Sequence, residues 1–225
     1  FDPRFQPWTG GGEHFSFFNQ PLAAESNYQM FCSSIRPLVY ENTIALEKID
    51  QIRNEFSEVM NNEIEAMWTK KLGLRSSNQT LVNELLQLMV ISKIDYTVFF
   101  RKLSHIPDNF TDLKECFYLP NSEQVEAQWH KWIQRWRHCI NNNGDLEATS
   151  AEMKRINPKY TWREWFIAPA YKKAEQWDYS LIKELQHVFQ KPYEELSLEE
   201  EKKYCRLKPN EFFNTGGLSH YSCSS

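Results

Sequence analysis

The stretch Glu41–Gly73, ENTIALEKIDQIRNEFSEVMNNEIEAMWTKKLG, decides the fold. Its apolar residues Ile44, Ile49, Ile52, Phe56, Val59, Met60, Ile64, Met67 and Leu72 fall at helical spacing. Gly73 closes the run, where a helix C-cap favours a residue that takes the left-handed conformation without strain. The same signals recur on both sides. Pro21 suits the first turn of a helix carrying Leu22, Tyr28, Phe31 and Ile35, which stops before Pro37. Asn78 can cap a helix with the stripe Leu81, Leu85, Leu88 and Met89. A short helix is expected over Asp95 to Leu103, its leading carboxylate favourable to the helix dipole.

Further on, Pro107 to Pro120 reads as loop. Asn121 with Gln124 resembles a capping box for a helix bearing Val125, Trp129, Trp132, Trp136 and Ile140. Asn141 to Asp145 is a break, and a helix around Glu152 ends ahead of Asn157-Pro158. The next helix is predicted from Thr161 to Gln176, with Pro169 kinking or splitting it. Another runs from Ser180 to Phe189, followed after Pro192 by a charged stretch and an irregular tail.

Composition agrees with a mainly α chain. Only 7 of 225 residues are glycine, and three of those are the run Gly10-Gly11-Gly12, so a sandwich or barrel built on turn glycines is disfavoured. A hydrophobic content of 41% gives a sizeable core and excludes wholesale disorder. With 26 Lys+Arg against 30 Asp+Glu, no global charge argues for a nucleic-acid partner. No apolar run reaches the length of a membrane span, and no leader peptide is evident. The opening at Phe1, without Met, reads as a processed product or a piece of something longer. The five cysteines are odd in number and lack CxxC spacing, so neither a disulfide scaffold nor a zinc site is suggested.

The chemistry-bearing residues each have a plainer reading. Trp129, Trp132 and Trp136 could stack on bases, but one helical face of tryptophan is also what a buried seam looks like. His130 and His138, with Cys139, sit more than two turns apart, too far for one zinc ion without other ligands. The triple glycine lacks the preceding strand and the GK[ST] of a phosphate loop. Glu194-Glu195 and Glu199-Glu200-Glu201 read as a solvated helix face, and the Asn78 and Asn109 glycosylation patterns as silent. Cys223, third from the end on a tail too flexible to serve a core, is either incidental or there to react.

Taken in order, several blocks resemble the C-terminal part of the selenoprotein O family, known in bacteria as the YdiU proteins. They are Phe1-Asp2-Pro3, Phe17-x-Asn19-Gln20-Pro21, Lys71-Leu72-Gly73-Leu74, Leu81 to Met89, and Asp95-Tyr96-Thr97 with Phe100-Arg101-x-Leu103-Ser104. Asn157-Pro158-x-Tyr160-x-x-Arg163, Ala174-Glu175, Pro192-Tyr193 and Ser222-Cys223-Ser224-Ser225 complete the series. The resemblance implies a protein-kinase-like fold that binds ATP inverted and transfers AMP to Ser, Thr or Tyr hydroxyls of proteins. It also implies that the glycine-rich loop, the ATP-anchoring Lys and the Mg²⁺-holding Asn and Asp lie upstream of Phe1. No catalytic, cofactor or metal residue therefore carries over to this chain.

On that resemblance, residues 1–20 are an aromatic-rich loop, 21–120 the helical C-lobe-like region and 121–225 a C-terminal extension. ATP and Mg²⁺ belong to the intact family and neither is expected on this chain alone, which is expected to be inactive by itself. The expected partner is a chain or domain carrying the nucleotide-binding half. The alternative is a retired structural subunit of a larger assembly, mitochondrial if eukaryotic; a bacterial source implies the cytoplasm. Cys223 falls where the family places a redox-active residue, making it the redox candidate, but the loop Phe5 to Thr9 has no cysteine to bridge to. Three departures from the family pattern are Trp177 in place of Gly, the interior Pro169, and Lys208 to Phe212 in place of a Pro-Pro-acidic-Trp motif.

Overall fold

Helix-forming sequence between well-placed caps produces a chain of helices with no strand among the described residues, which in this computed structural model are 1–4, 16–142 and 144–213. One isolated antiparallel bridge pairs Ile94 with Phe117. The chain divides into two compact units, one comprising Asp2–Trp68 and the other Phe1 with Thr69–Ser225.

In the first unit, a short 3-10 turn at Phe17–Asn19 leads into α1 (Gln20–Ile35), with Pro21 in its first turn as the sequence implies. A second 3-10 turn, Arg36–Val39, absorbs Pro37 and reverses the chain into α2 (Thr43–Lys71). Tyr28 stacks on Phe56 at 4.8 Å and Ser57 donates to Glu25 at 2.6 Å, so the two helices form a hairpin. The single apolar stripe read along α2 is in fact two. Ile49, Phe56, Met60 and Ile64 are half-buried, whereas Ile44, Ile52, Val59 and Met67 are exposed.

In the second unit, Gly73 ends α2 at φ +64, with Gly73 N–H bonding Lys70 and Leu74 N–H reaching back to Thr69, the Schellman pattern. An added Cβ there would lie 2.7 Å from Met153 Sδ. Asn78 caps α3 (Gln79–Ile91) by accepting from Leu81 N–H at 3.0 Å, and Asp95 caps α4 (Tyr96–Leu103) from Val98 N–H. The expected loop 107–120 contains a 3-10 segment, Phe110–Cys116, opened by a capping box between Asn109 and Asp112. That box is built from polar side chains rather than apolar periodicity, which is why a stripe search passes over it.

The cap of α5 (Glu123–Asn141) is Ser122, one residue beyond the Asn121 expected. Its tryptophans form the seam of the core against α3. Trp129, Trp132 and Trp136 are fully buried, and their indole N–H groups donate to Ser92 Oγ, Leu81 O and Leu72 O at 2.8, 2.9 and 2.8 Å. Each buried donor is satisfied, so the seam carries little polar penalty. After the Asn141–Asp145 break comes α6 (Leu146–Ile156), capped by Asp145.

The helix holding Pro169 is shorter than expected and unbroken: α7 (Glu164–Ala174) starts three residues late and continues through the proline. Pro169 lies in the second turn, where its missing N–H removes one hydrogen bond, to Trp165, close to the helix start. α8 (Ser180–Phe189) has the predicted bounds, and α9 (Leu198–Tyr204) opens with a capping box between Ser197 and Glu200. Tyr160, Trp165, Phe166, Leu185, Val188 and Tyr204 form a second apolar cluster there. No helix among the described residues is long and apolar enough to cross a membrane.

Candidate functional site

Six of the residues that carried the resemblance, Lys71, Asp95, Arg101, Ser104, Asn157 and Arg163, distant in sequence, meet in the second unit in a buried polar constellation. It has three connected parts. At the start of α4, Asp95 is almost fully buried and accepts from Val98 N–H at 3.0 Å, Tyr118 Oη at 2.9 Å and both guanidinium nitrogens of Arg163 at 2.5 and 2.9 Å. Burial works against its charge, but the Arg163 hydrogen bonds and charge outweigh it and hold the carboxyl below its ordinary value.

Nearly two turns along α4, Arg101 reaches through the protein with its side chain only 3% exposed. Its Nη1 donates to the carbonyls of Lys154 and Asn157 at 2.9 and 3.2 Å, and its Nη2 to Tyr193 O at 3.2 Å and Glu195 Oε1 at 2.5 Å. The C-terminus of α6, where carbonyls lack helical partners, is thereby satisfied by a cation. Glu195 also pairs with the buried Lys159, whose ammonium reaches Glu201 at 3.0 Å. Partial burial opposes the charge of Glu195, and the hydrogen bonds from Lys159 and Arg101 overcome it and push its carboxyl down to about 2.

The third part centres on Asn157, which is fully buried. Its amide donates to Lys71 O at 2.9 Å and Ser104 Oγ at 3.0 Å, and its carbonyl accepts from Lys71 Nζ at 2.9 Å. The Lys71 ammonium also faces the rings of Phe100 and Tyr96 at 4.3 and 5.2 Å. Burial pushes this lysine down to about 8.

An open cleft of about 570 Å³ borders the constellation, lined by Arg101, Lys102, His105, Lys159, Glu195 and Cys205 among others. Its lysines and arginine are paired: Lys102 with Glu115, Arg101 and Lys159 with Glu195. Ile106, a β-branched residue at φ +54, forms part of the wall, and its carbonyl accepts from Arg137 Nη1 at 3.0 Å. Among the described residues no group of three or more His, Cys, Asp or Glu is placed to hold a metal. The arrangement is that of a polar core welding α4, α6 and the 190–205 segment together.

The other sequence candidates resolve as follows. The Trp129/Trp132/Trp136 stripe is core and offers no face to bases. His130 and His138 are both exposed, and His130 sits edge-on to Phe110 at 5.5 Å. Asn78 and Asn109 are occupied as caps. The acidic cluster is not simply a solvated face, because Glu195 and Glu201 neutralise a buried lysine; that role depends on Lys159, 36 residues from Glu195, and no local pattern signals it. Cys223, Gly10 to Gly12 and the loop Phe5 to Thr9 lie outside the described residues.

The comparisons with known proteins bear on the same blocks. The family model described as "Protein adenylyltransferase SelO" matches residues 1–190. Whole-chain similarity extends to proteins described as "Protein nucleotidyltransferase YdiU". That of Flavobacterium johnsoniae is 30% identical over 241 residues, covering 100% of this chain and 45% of the relative. Those of Aromatoleum aromaticum and Tolumonas auensis are 27% and 29% identical, again over all of this chain and 44% of theirs. The chain thus spans about half the length of these curated relatives. With several of the motif blocks meeting in one buried constellation and the family model running across residues 1–190, this chain belongs to the SelO family of protein adenylyltransferases.

Proposed function

We propose that this chain is the C-terminal portion of a SelO-type protein adenylyltransferase, and that it braces the half which binds ATP and Mg²⁺. On this reading, residues 21–120 correspond to the lower part of a kinase-like C-lobe and 121–225 to a helical extension. AMP would pass from ATP to Ser, Thr or Tyr hydroxyls of a protein substrate on residues outside this sequence. The observation that carries the reading is the constellation itself: Asp95, Arg101, Ser104, Asn157 and Arg163 hydrogen-bond one another or each other's backbone, and none of them is left free to react. A buried network of this kind holds elements in a fixed relation. It suits a support for catalysis whose positioning and charge stabilisation come from elsewhere.

The test is AMP transfer from α-labelled ATP with Mg²⁺ to a protein acceptor. The chain alone is expected to transfer no label, and the native particle that contains it together with the nucleotide-binding half is expected to transfer label readily. Transfer by the purified chain alone would overturn the proposal.

A further inference from the structure

The two stripes of α2 set a packing problem that its own hairpin does not solve. Phe56 stacks on Tyr28 of α1, and Ile49, Met60 and Ile64 are half-buried like it. Ile44, Ile52, Val59 and Met67 recur every seven or eight residues on the adjoining side, and Ile44 is 78% exposed and Val59 56%. A seven-to-eight-residue apolar repeat is the seam of a helix that packs along a second helix or an apolar groove. The turn leading into α2 adds Leu38 and Tyr40, both exposed. Among the described residues of the hairpin unit the buried apolar side chains are Ala23, Cys32 and Trp68, too few to make a self-sufficient core.

We infer that the Ile44–Ile52–Val59–Met67 stripe is the docking surface for the nucleotide-binding half of the enzyme, an inference that rests on the function proposed above. Two observations select this occupant. The YdiU relatives extend over more than twice the length that this chain matches, so a half of comparable size belongs beside it. The other exposed charges of α2 are mostly acidic, Glu47, Glu55, Glu58, Glu63 and Glu65 against Lys48 and Lys70, so two copies packed on this stripe would bring net like charge together. The fitting partner is therefore an apolar groove rimmed by Lys and Arg, on a different protein surface from this one.

The experiment is hydroxyl-radical footprinting of the native particle, with Trp177 of the second unit, 83% exposed, as the internal reference. It is paired with Ile52→Glu/Val59→Glu and with Asn54→Glu/Asn61→Glu, which adds the same charge on the opposite side of the helix. Normalised to Trp177, the stripe is expected to label about tenfold less in the native particle than in the same particle unfolded in urea, and the Ile52→Glu/Val59→Glu variant to lose about tenfold in association or AMP transfer while the asparagine control does not. A particle that contains the nucleotide-binding half but labels freely along the stripe overturns this surface and leaves the proposed function standing. A particle of two copies, or of unrelated subunits only, with the stripe shielded, overturns the proposed function and this occupant together.

Discussion

Trp177 sits at φ +62 directly after α7, with Trp177 N–H bonded to Ala174 and Asp178 N–H reaching back to Lys173. That is the geometry Gly73 adopts after α2, and it is the position where the family resemblance implies glycine. A left-handed backbone costs an L-residue roughly 1–2 kcal/mol, and glycine returns part of the gain as extra freedom in the unfolded chain. Because the indole is exposed, little packing is lost on removing it. Trp177→Gly is therefore expected to stabilise the chain by about 0.5–1 kcal/mol, read from chemical denaturation. The caps Asn78 and Asp95 were legible at this scale, because a polar residue just ahead of an apolar period has a local meaning. Arg101 and Lys159 were not. Their partners are carbonyls and carboxylates tens of residues away, and nothing in the neighbouring sequence signals them.

Among the elements of the second unit, α6 packs closely on the turn at Gly73. Gly73 needs its conformation and also its lack of a side chain, since Met153 Sδ and Thr149 Cγ2 stand 2.7 and 2.8 Å from where a Cβ would be. Gly73→Ala combines left-handed strain with overpacking and is expected to cost about 2–4 kcal/mol, measured by urea unfolding. The sequence located this glycine as a cap, but the close approach of α6 is a tertiary fact. Helix existence was readable where apolar period and cap agree, as in α3. The start of α7 was misplaced because Thr161 to Arg163 remain extended, and Tyr160 and Lys159 there bond the backbone of Pro192 instead. The breadth of the stripe on α2 was legible; that it divides into a half-buried and an exposed part emerges only from which residues are covered.

Across the whole molecule, the constellation makes stability depend on acid. Asp95 and Glu195 both have carboxyls held below their ordinary values, Glu195 at about 2. The unfolded chain then binds protons in a range where the fold does not, so their contribution is present above about pH 4.5 and is lost as pH falls from there toward 2. Glu195→Gln is expected to lower stability at neutral pH and to flatten this acid limb, seen by comparing denaturation midpoints from pH 6 down to 3. The half-exposed carboxylate is screened by solvent, so Asp95 carries the larger share. The family itself was legible from ordered motifs, several of which, Lys71, Asp95, Arg101, Ser104, Asn157 and Arg163 among them, supply the buried polar contacts.

The tryptophan seam of α5 has an optical consequence. Trp129 and Trp132 lie 6.0 Å apart and Trp132 and Trp136 6.1 Å apart, the latter pair with nearly parallel rings. Excitation absorbed by one indole of such a row passes to its neighbours before it is emitted, so the three glow as a single, depolarised chromophore. Trp132 is the link, and breaking the row there would raise emission anisotropy more than it dims the light.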